Sequence, residues 1–261
     1  MLGPSPQQTL RRRTPYRFSP LHIPGCVLWL DADREVYNDA GVTLATDGQT
    51  VQQWNDLSGN GNHATQIPGS AQPLKIDSIV AGRPVIRFDG IDDGLLTSSA
   101  PFGTLSPGTP LTIVAVVSRV AGLGSMRYIA ATGVINEIQY WLGINAVQVH
   151  EAEEGRIGIA DNVSGSASSV TGVFDICVGL YTPTTVQSVV NGVAATPTAL
   201  DATVLGATPA ARTWSMGQQS GDGYFSNVDL AVVLLFNRYL TDSERHRLER
   251  WLSRRYGIVV A

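Results

Sequence analysis

The sequence predicts an all-β protein, two antiparallel sheets packed as a sandwich and closed by one C-terminal α-helix. Three observations carry this prediction. Short apolar runs, alternating or continuous, recur about every 8–12 residues between Gly, Pro, Asn and Asp turns. The composition fits: 27 Gly and 14 Pro supply turns, while charged residues make up only 15% of the chain. A full set of helix signals is confined to the segment near residues 241–257. A chain of 261 residues suits one such sandwich, so residues 21–261 are read as one domain.

Residues 1–20 are rich in Pro and Arg and have no apolar period, which predicts an extended N-terminal arm. Its arginines are not followed by an apolar stretch, so no secretory signal is expected. Such an arm either lies along its own domain or is gripped by a neighbouring subunit, where Leu10, Tyr16 and Phe18 would anchor it. Arg11, Arg12, Arg13 and Arg17 would bond carboxylates or carbonyls there. Residues 21–31 (LHIPGCVLWLD) predict the first strand of the domain, opened by Pro24-Gly25. In residues 54–64 (WNDLSGNGNHA), Asn and Gly accept positive φ and predict a tight turn. Residues 83–94 (RPVIRFDGIDDG) give a strand running into a Gly/Asp turn, and residues 111–120 (LTIVAVVSRV) a strand apolar on both faces. Short strands are expected at 128–131, 137–142, 146–150, 156–160, 172–181, 186–190 and 212–217, with Asn191-Gly192 closing a hairpin and 199–209 forming a small-residue loop.

The chain's end is the best-defined stretch. Val228, Leu230, Val232, Leu234 and Phe236 share one parity, which predicts one face of a strand. Ala231, Val233 and Leu235 are apolar too, so this strand needs cover on both faces. The cover follows in sequence. Thr241 and Glu244 fit a capping box, Leu248, Trp251 and Leu252 fall on one helix face, Arg254 and Arg255 lie in the last turn, and Gly257 supplies the stop. A helix over about 242–256 is expected, folded over its own sheet, and Trp251 is expected to be buried there.

Taken together, residues 28–32, 54–64, 84–93, 111–117, the Asn191-Gly192 hairpin and the terminal strand and helix resemble the bacterial and phage branch of the concanavalin A-like (laminin-G-like) jelly rolls. The resemblance spans about residues 22 to 258 and implies a jelly-roll sandwich. It says little of function, since such sandwiches serve as sugar-binding modules, adhesion domains and hydrolases.

Candidate chemistry is sparse. Asp89, Asp92 and Asp93 form the best oxygen cluster, either a turn capped by its own side chains or a calcium site. The resemblance implies calcium as the cofactor to consider. Tyr140, Trp141 and Tyr224 are the candidate sugar-stacking residues, while Trp29 and Trp54 read as core and Trp214 stays unassigned. The 151–154 stretch (EAEE) lacks the carboxylate spacing of the sandwich glucanases and reads as a polar loop or strand end. His22, His63, His150 and His246 show no metal-ligand spacing. Cys26 and Cys177 lie in apolar runs, and free buried thiols are expected over a bridge. Arginine is densest in the arm and the C-terminal helix, which reads either as solvated faces or as a docking surface.

A net charge of −4 argues against nucleic acid as a partner, and no apolar run approaches the roughly 20 residues of a membrane span. The arm, the missing export signal and the phage-rich resemblance together imply a non-catalytic structural protein of a phage particle. It would be held by residues 1–20 to other subunits, as a homo-oligomer, and would display a lectin-like sandwich toward host-surface glycan. The alternative is a bacterial carbohydrate-binding or adhesion module, extracellular or at the cell surface. A polysaccharide hydrolase comes third, because the carboxylate pattern disfavours it.

Overall fold

The computed structural model describes residues 18–120, 127–132, 138–145, 149–156, 160–201, 209–218 and 224–261. The arm candidates Leu10, Arg11, Arg12, Arg13, Tyr16 and Arg17 therefore lie outside the described residues, while Phe18 corrects its expectation: it packs against Trp251 of its own domain, at 6.0 Å. Strands in chain order are β1 (Cys26–Asp31), β2 (Val36–Tyr37), β3 (Gln53–Trp54), β4 (Ala64–Thr65), β5 (Leu74–Val80), β6 (Arg83–Asp89), β7 (Leu95–Thr97), β8 (Thr104–Leu105), β9 (Leu111–Arg119) and β10 (Arg127–Thr132). They continue as β11 (Ile138–Ile144), β12 (Val149–Arg156), β13 (Ala160–Ser168), β14 (Phe174–Tyr181), β15 (Thr185–Val190), β16 (Val193–Ala194), β17 (Thr198–Ala199), β18 (Ala210–Ala211), β19 (Ser215–Met216) and β20 (Asn227–Phe236). Helix α1 (Asp242–Tyr256) follows β20.

Two large antiparallel sheets face each other, as the sequence predicts. Sheet A runs β16-β15-β14-β9-β20-β6-β5, with β1 also paired to β20; sheet B runs β13-β12-β11-β10-β19-β7-β4-β3-β2. β20 is the hub of sheet A. Along one edge it pairs with β9; along the other it pairs first with β6 (227–230) and then with β1 (232–236). The pairing with β9 shifts between Leu230 and Val232, a β-bulge that corrects the simple period-two reading. Val228 and Leu230 face the core between the sheets, and past the bulge that role passes to Val233 and Leu235. Val232, Leu234 and Phe236 instead join the second core, on the outer face of sheet A.

That second core is what α1 covers. Leu248, Leu252 and Tyr256 bury against Val114, Val116, Ile176, Val178 and the outward residues of β20. The Thr241 hydroxyl accepts from Glu244 N (3.4 Å), and Glu244 accepts from Thr241 N (3.0 Å), closing the predicted capping box. Arg238 hydrogen-bonds the same carboxylate and holds Glu244 down at about 2. Gly257 takes the left-handed stop at φ 69°. Trp251 corrects its expectation: it is half-buried on the flank of the helix, packed edge-on to Trp29. Arg245 and Glu249 take buried places on α1 as an ion pair at 2.9 Å.

The 54–64 motif clasps β1. Trp54 is buried in the inter-sheet core, while Asp56 accepts from Trp29 N (3.0 Å), Ser58 N (2.8 Å) and Asn62 N (3.0 Å). Asn62 Nδ2 donates to Val27 O at 2.8 Å, so a polar turn satisfies the open edge of a buried strand. The Asn191-Gly192 hairpin has both residues at positive φ, as its turn demands.

Several strand assignments shift. The 151–154 stretch is mid-strand in β12, with Glu153 and Glu154 buried, and not a loop or strand end. Of the expected 156–160 strand, Arg156 ends β12 and Ala160 begins β13, while residues 157–159, like 146–148, lie outside the described residues. The expected 212–217 strand shrinks to β19. β5 gave no readable signal because its pairing with β6 shifts between Ile76 and Val80 around Ser78, at φ 59°, which erases the alternation. Among the described residues, no helix is long and apolar enough to cross a membrane.

Leu252 is fully buried beneath α1, so Leu252→Ala is expected to destabilise the protein by about 2–5 kcal/mol in chemical denaturation. A loss well below about 1 kcal/mol would put that helix face in solvent.

Candidate binding face

On β11, Tyr140 and Leu142 point into the inter-sheet core, so alternation turns Trp141 to the outer face of sheet B. There the Trp141 and Tyr128 rings meet edge to face at 5.3 Å, and Tyr128 meets Tyr224 at 6.2 Å. Trp141 is 2% exposed, Tyr128 8% and Tyr224 46%, so Tyr224 is the open end of a three-ring stack. Trp141 lies opposite Glu153 in the β11–β12 register, and Gly143 lies opposite Glu151. Glu151 and Glu153, two residues apart, therefore share this outer face with the rings. Gln139 Nε2 donates to Glu153, and Asn145 Nδ2 donates to Glu151. Burial pushes the Glu151 carboxyl above its ordinary range, opposed by the Asn145 hydrogen bond.

The expected sugar-stacking trio thus divides. Tyr224 and Trp141 do belong to one cluster, joined by Tyr128, which the sequence reading missed. Trp141 is the foundation of that cluster and not its contact surface. Tyr140 is not on this face at all: it is fully buried in the inter-sheet core. Its hydroxyl donates to Ser106 O at 2.8 Å and lies 3.1 Å from Glu154. Glu154 is fully buried and accepts from Gly108 N at 2.6 Å, pinning the 106–109 turn across the sandwich. Burial pushes its carboxyl up to about 7, against the opposing hydrogen bonds from Gly108 and Tyr140.

Asp89, Asp92 and Asp93 bring one carboxylate oxygen each within 4.8 Å of one another, a donor set suited to a hard cation. The same carboxylates also close the turn: Asp93 accepts from Asp89 N (2.9 Å) and Asp89 from Ile91 N (2.8 Å). Burial, followed by the charges of Asp89 and Asp92, pushes Asp93 up to about 6, so a proton on Asp93 relieves this crowding as a cation would.

Cys177, His150 and Asp175 form a buried chain, with Sγ–Nδ1 at 3.3 Å and Nε2–Oδ2 at 2.9 Å. The connectivity is that of a nucleophile, a base and an orienting acid. Cys177 and His150 are nevertheless buried, and burial with the Asp175 charge raises the Cys177 thiol pKa, the reverse of what a nucleophile needs. Cys26 and Cys177 are both free thiols, as expected, and burial pushes Cys26 up to about 12.

No family model matches this chain, and no curated protein matches it in sequence. Solved structures do share its fold. The sialidase of Trypanosoma rangeli aligns at 17% identity and a TM-score of 0.60, over 89% of this chain and 33% of that one. The binding domain of botulinum neurotoxin serotype D aligns at 9% identity and a TM-score of 0.62, over 90% and 54%. The binding domain of Paraclostridial mosquitocidal protein 1 aligns at 12% identity and a TM-score of 0.60, over 86% and 52%. The chain therefore spans about a third of the sialidase and about half of each binding domain, and the likeness is one of β-sandwich fold.

Because the folded state raises the Glu154 pKa above the usual carboxylate value, its protonated form is favoured by folding. Its contribution is complete below the ordinary glutamate value of 4.5 and is lost as pH rises through about 7. Thermal unfolding against pH is expected to show Glu154→Gln losing that decline relative to the parent protein. Parallel curves would show that Glu154 does not titrate in this window.

Proposed function

We propose that this chain is a non-catalytic, lectin-like sandwich of the concanavalin A-like (laminin-G-like) kind that binds glycan on the outer face of sheet B. One observation carries the reading: a three-ring stack runs from Trp141 through Tyr128 to the exposed Tyr224, on the same sheet face as Glu151 and Glu153, each held by an amide side chain. Aromatic faces pack on the C–H faces of sugars, and carboxylate oxygens accept from sugar hydroxyls. Two of the structurally similar proteins are themselves named as binding domains, which supports the reading.

On this proposal the sandwich is displayed on a phage particle, held to other subunits through residues 1–20 and assembled as a homo-oligomer. Phe18, where the arm enters the domain, packs edge-on to Trp251 at 6.0 Å and under Arg247 at 4.7 Å. The arm thus joins on the α1 side, across the sandwich from Tyr224, leaving the glycan face turned outward. A bacterial adhesion module would use the same face without the particle. Calcium, if taken up, would be held by Asp89, Asp92 and Asp93, stiffening the turn between β6 and β7.

A hydrolytic reading has one observation in its favour, the shared face of Glu151 and Glu153. A glycosidase pair needs one carboxylic acid and one carboxylate flanking the scissile bond. Glu153 is 3% exposed and engaged by Gln139, which leaves it unable to flank a scissile bond.

A glycan array followed by titration of the best ligand tests the proposal. Tyr224→Ala is expected to weaken binding about three- to tenfold, the scale of one aromatic contact. No new reducing ends are expected on prolonged incubation. Binding indifferent to Tyr224, or turnover abolished by Glu151→Gln, would overturn it.

A further inference from the structure

On α1, Arg247, Arg250, Trp251 and Arg254 fall at i, i+3, i+4 and i+7, a stripe flanking the buried face. Opposite this stripe stand Trp29 of β1 and Arg34 from the loop that follows it. Between them lies a cleft of about 850 Å³, at the root of the N-terminal arm. Its wall is a continuous aromatic surface: Trp251 packs edge to face with Phe18 (6.0 Å, 66°) and with Trp29 (6.3 Å, 79°). The buried Trp29 indole N–H meets no acceptor among the described residues.

The rim is cationic. Arg255 is committed to Asp31 (2.8 Å) and Asp33 (3.2 Å), and Arg34 lies over the Trp29 ring at 5.2 Å. Arg34, Arg250 and Arg254 are exposed and form no ion pair with a carboxylate among the described residues, although the Arg250 charge is felt by its neighbour Glu249. A protein of net charge −4 thus concentrates exposed arginine around a pocket of stacked aromatic rings.

We propose that this cleft binds an acidic saccharide. A sugar ring lies on the Trp29–Trp251 wall, and its carboxylate or sulfate is held by the Arg34, Arg250 and Arg254 rim. Arginine suits such a group because its planar fork bonds oxyanions in pairs, and the adjoining indoles suit the apolar face of the ring. Other occupants fit less well. Residues 1–20 contain no Asp or Glu, so the chain's own arm brings no complementary charge. A peptide adding as a strand finds no free edge, because Trp29 N already donates to Asp56 and Leu57 N donates to Trp29 O at 2.8 Å. The volume is that of a small-ligand cleft and not of a long track for nucleic acid. This site is separate from the Tyr224 face and does not depend on it.

The test is titration of the full chain, followed by tryptophan fluorescence and calorimetry. The probes are trigalacturonate, its neutral counterpart galactotriose, a sulfated heparin disaccharide, hexaglutamate and oligothymidylate. At least one of the two acidic sugars is expected to bind saturably, and more weakly as salt rises, while the neutral sugar does not bind. A preference between them identifies the anionic group. The double variant Arg250→Ala/Arg254→Ala is expected to weaken binding about tenfold or more, as lost charge-assisted hydrogen bonds would, with an unchanged unfolding temperature. The Lys counterparts are expected to retain part of the affinity, and Tyr224→Ala all of it. Absence of binding by both acidic sugars, or binding that survives the double alanine variant, would overturn the proposal. So would hexaglutamate or oligothymidylate binding as tightly as the sugars, or loss of acidic-sugar binding in Tyr224→Ala.

Discussion

The structure depends on one constraint: the last strand is apolar on both faces and must be covered on both. In β20 the bulge between Leu230 and Val232 decides which side chains face which cover. Val228, Leu230, Val233 and Leu235 look toward sheet B, and Val232, Leu234 and Phe236 look toward α1. Neither core is complete without this strand. It carries β9 on one edge and both β6 and β1 on the other, so the sandwich, the helix and the first strand all meet along ten residues. Polar fastenings close the joints around it: Arg87 pairs with Asp229 across β6 and β20 at 2.7 Å, and Arg255 ties α1 to Asp31 at the end of β1.

The helix covers sheet A alone, which gives the molecule two unlike outer surfaces. On the outer face of sheet B, Trp141 and Tyr128 are buried in an aromatic stack that ends in solvent at Tyr224, and Gln139 and Glu153 are buried as a hydrogen-bonded pair. The outer face of sheet A is covered by α1, and Trp251 and the arginine stripe border a cleft on the flank of that helix. Buried acids are used for fastening instead: Glu154 and Asp31 are fully buried, and each is matched to named donors. That division explains why Glu154, whose carboxyl burial pushes up to about 7, is not a candidate for recognition.

Much of this was legible in the sequence where a local rule acts alone. The helix begins at its Thr241–Glu244 box and ends at Gly257, because caps are satisfied by neighbours in sequence. Asn191-Gly192 turns where its φ values require. Legibility failed where two faces are equally buried. Tyr140 and Trp141 are adjacent aromatics in a strand apolar on both sides, so periodicity could not say which one faces outward. The 151–154 stretch failed differently: acidic residues imply solvent to a pattern reading, yet Gln139 and Gly108 supply the hydrogen bonds that let Glu153 and Glu154 be buried. The cleft escaped because it is tertiary. Arg247, Arg250 and Arg254 were visible as a basic helix, but nothing local announces that Trp29, from the other end of the chain, completes their wall.

The central claim is that β20 holds both cores together, and native-state hydrogen exchange tests it most directly. The amides of Val232 to Leu235 are expected to exchange only through global unfolding, tracking its full free energy as denaturant is added. Amides of β11 and β12 beneath the aromatic stack are expected to open at lower free energy. Exchange of the β20 amides through a local opening, while β11 and β12 remain protected, would contradict the account.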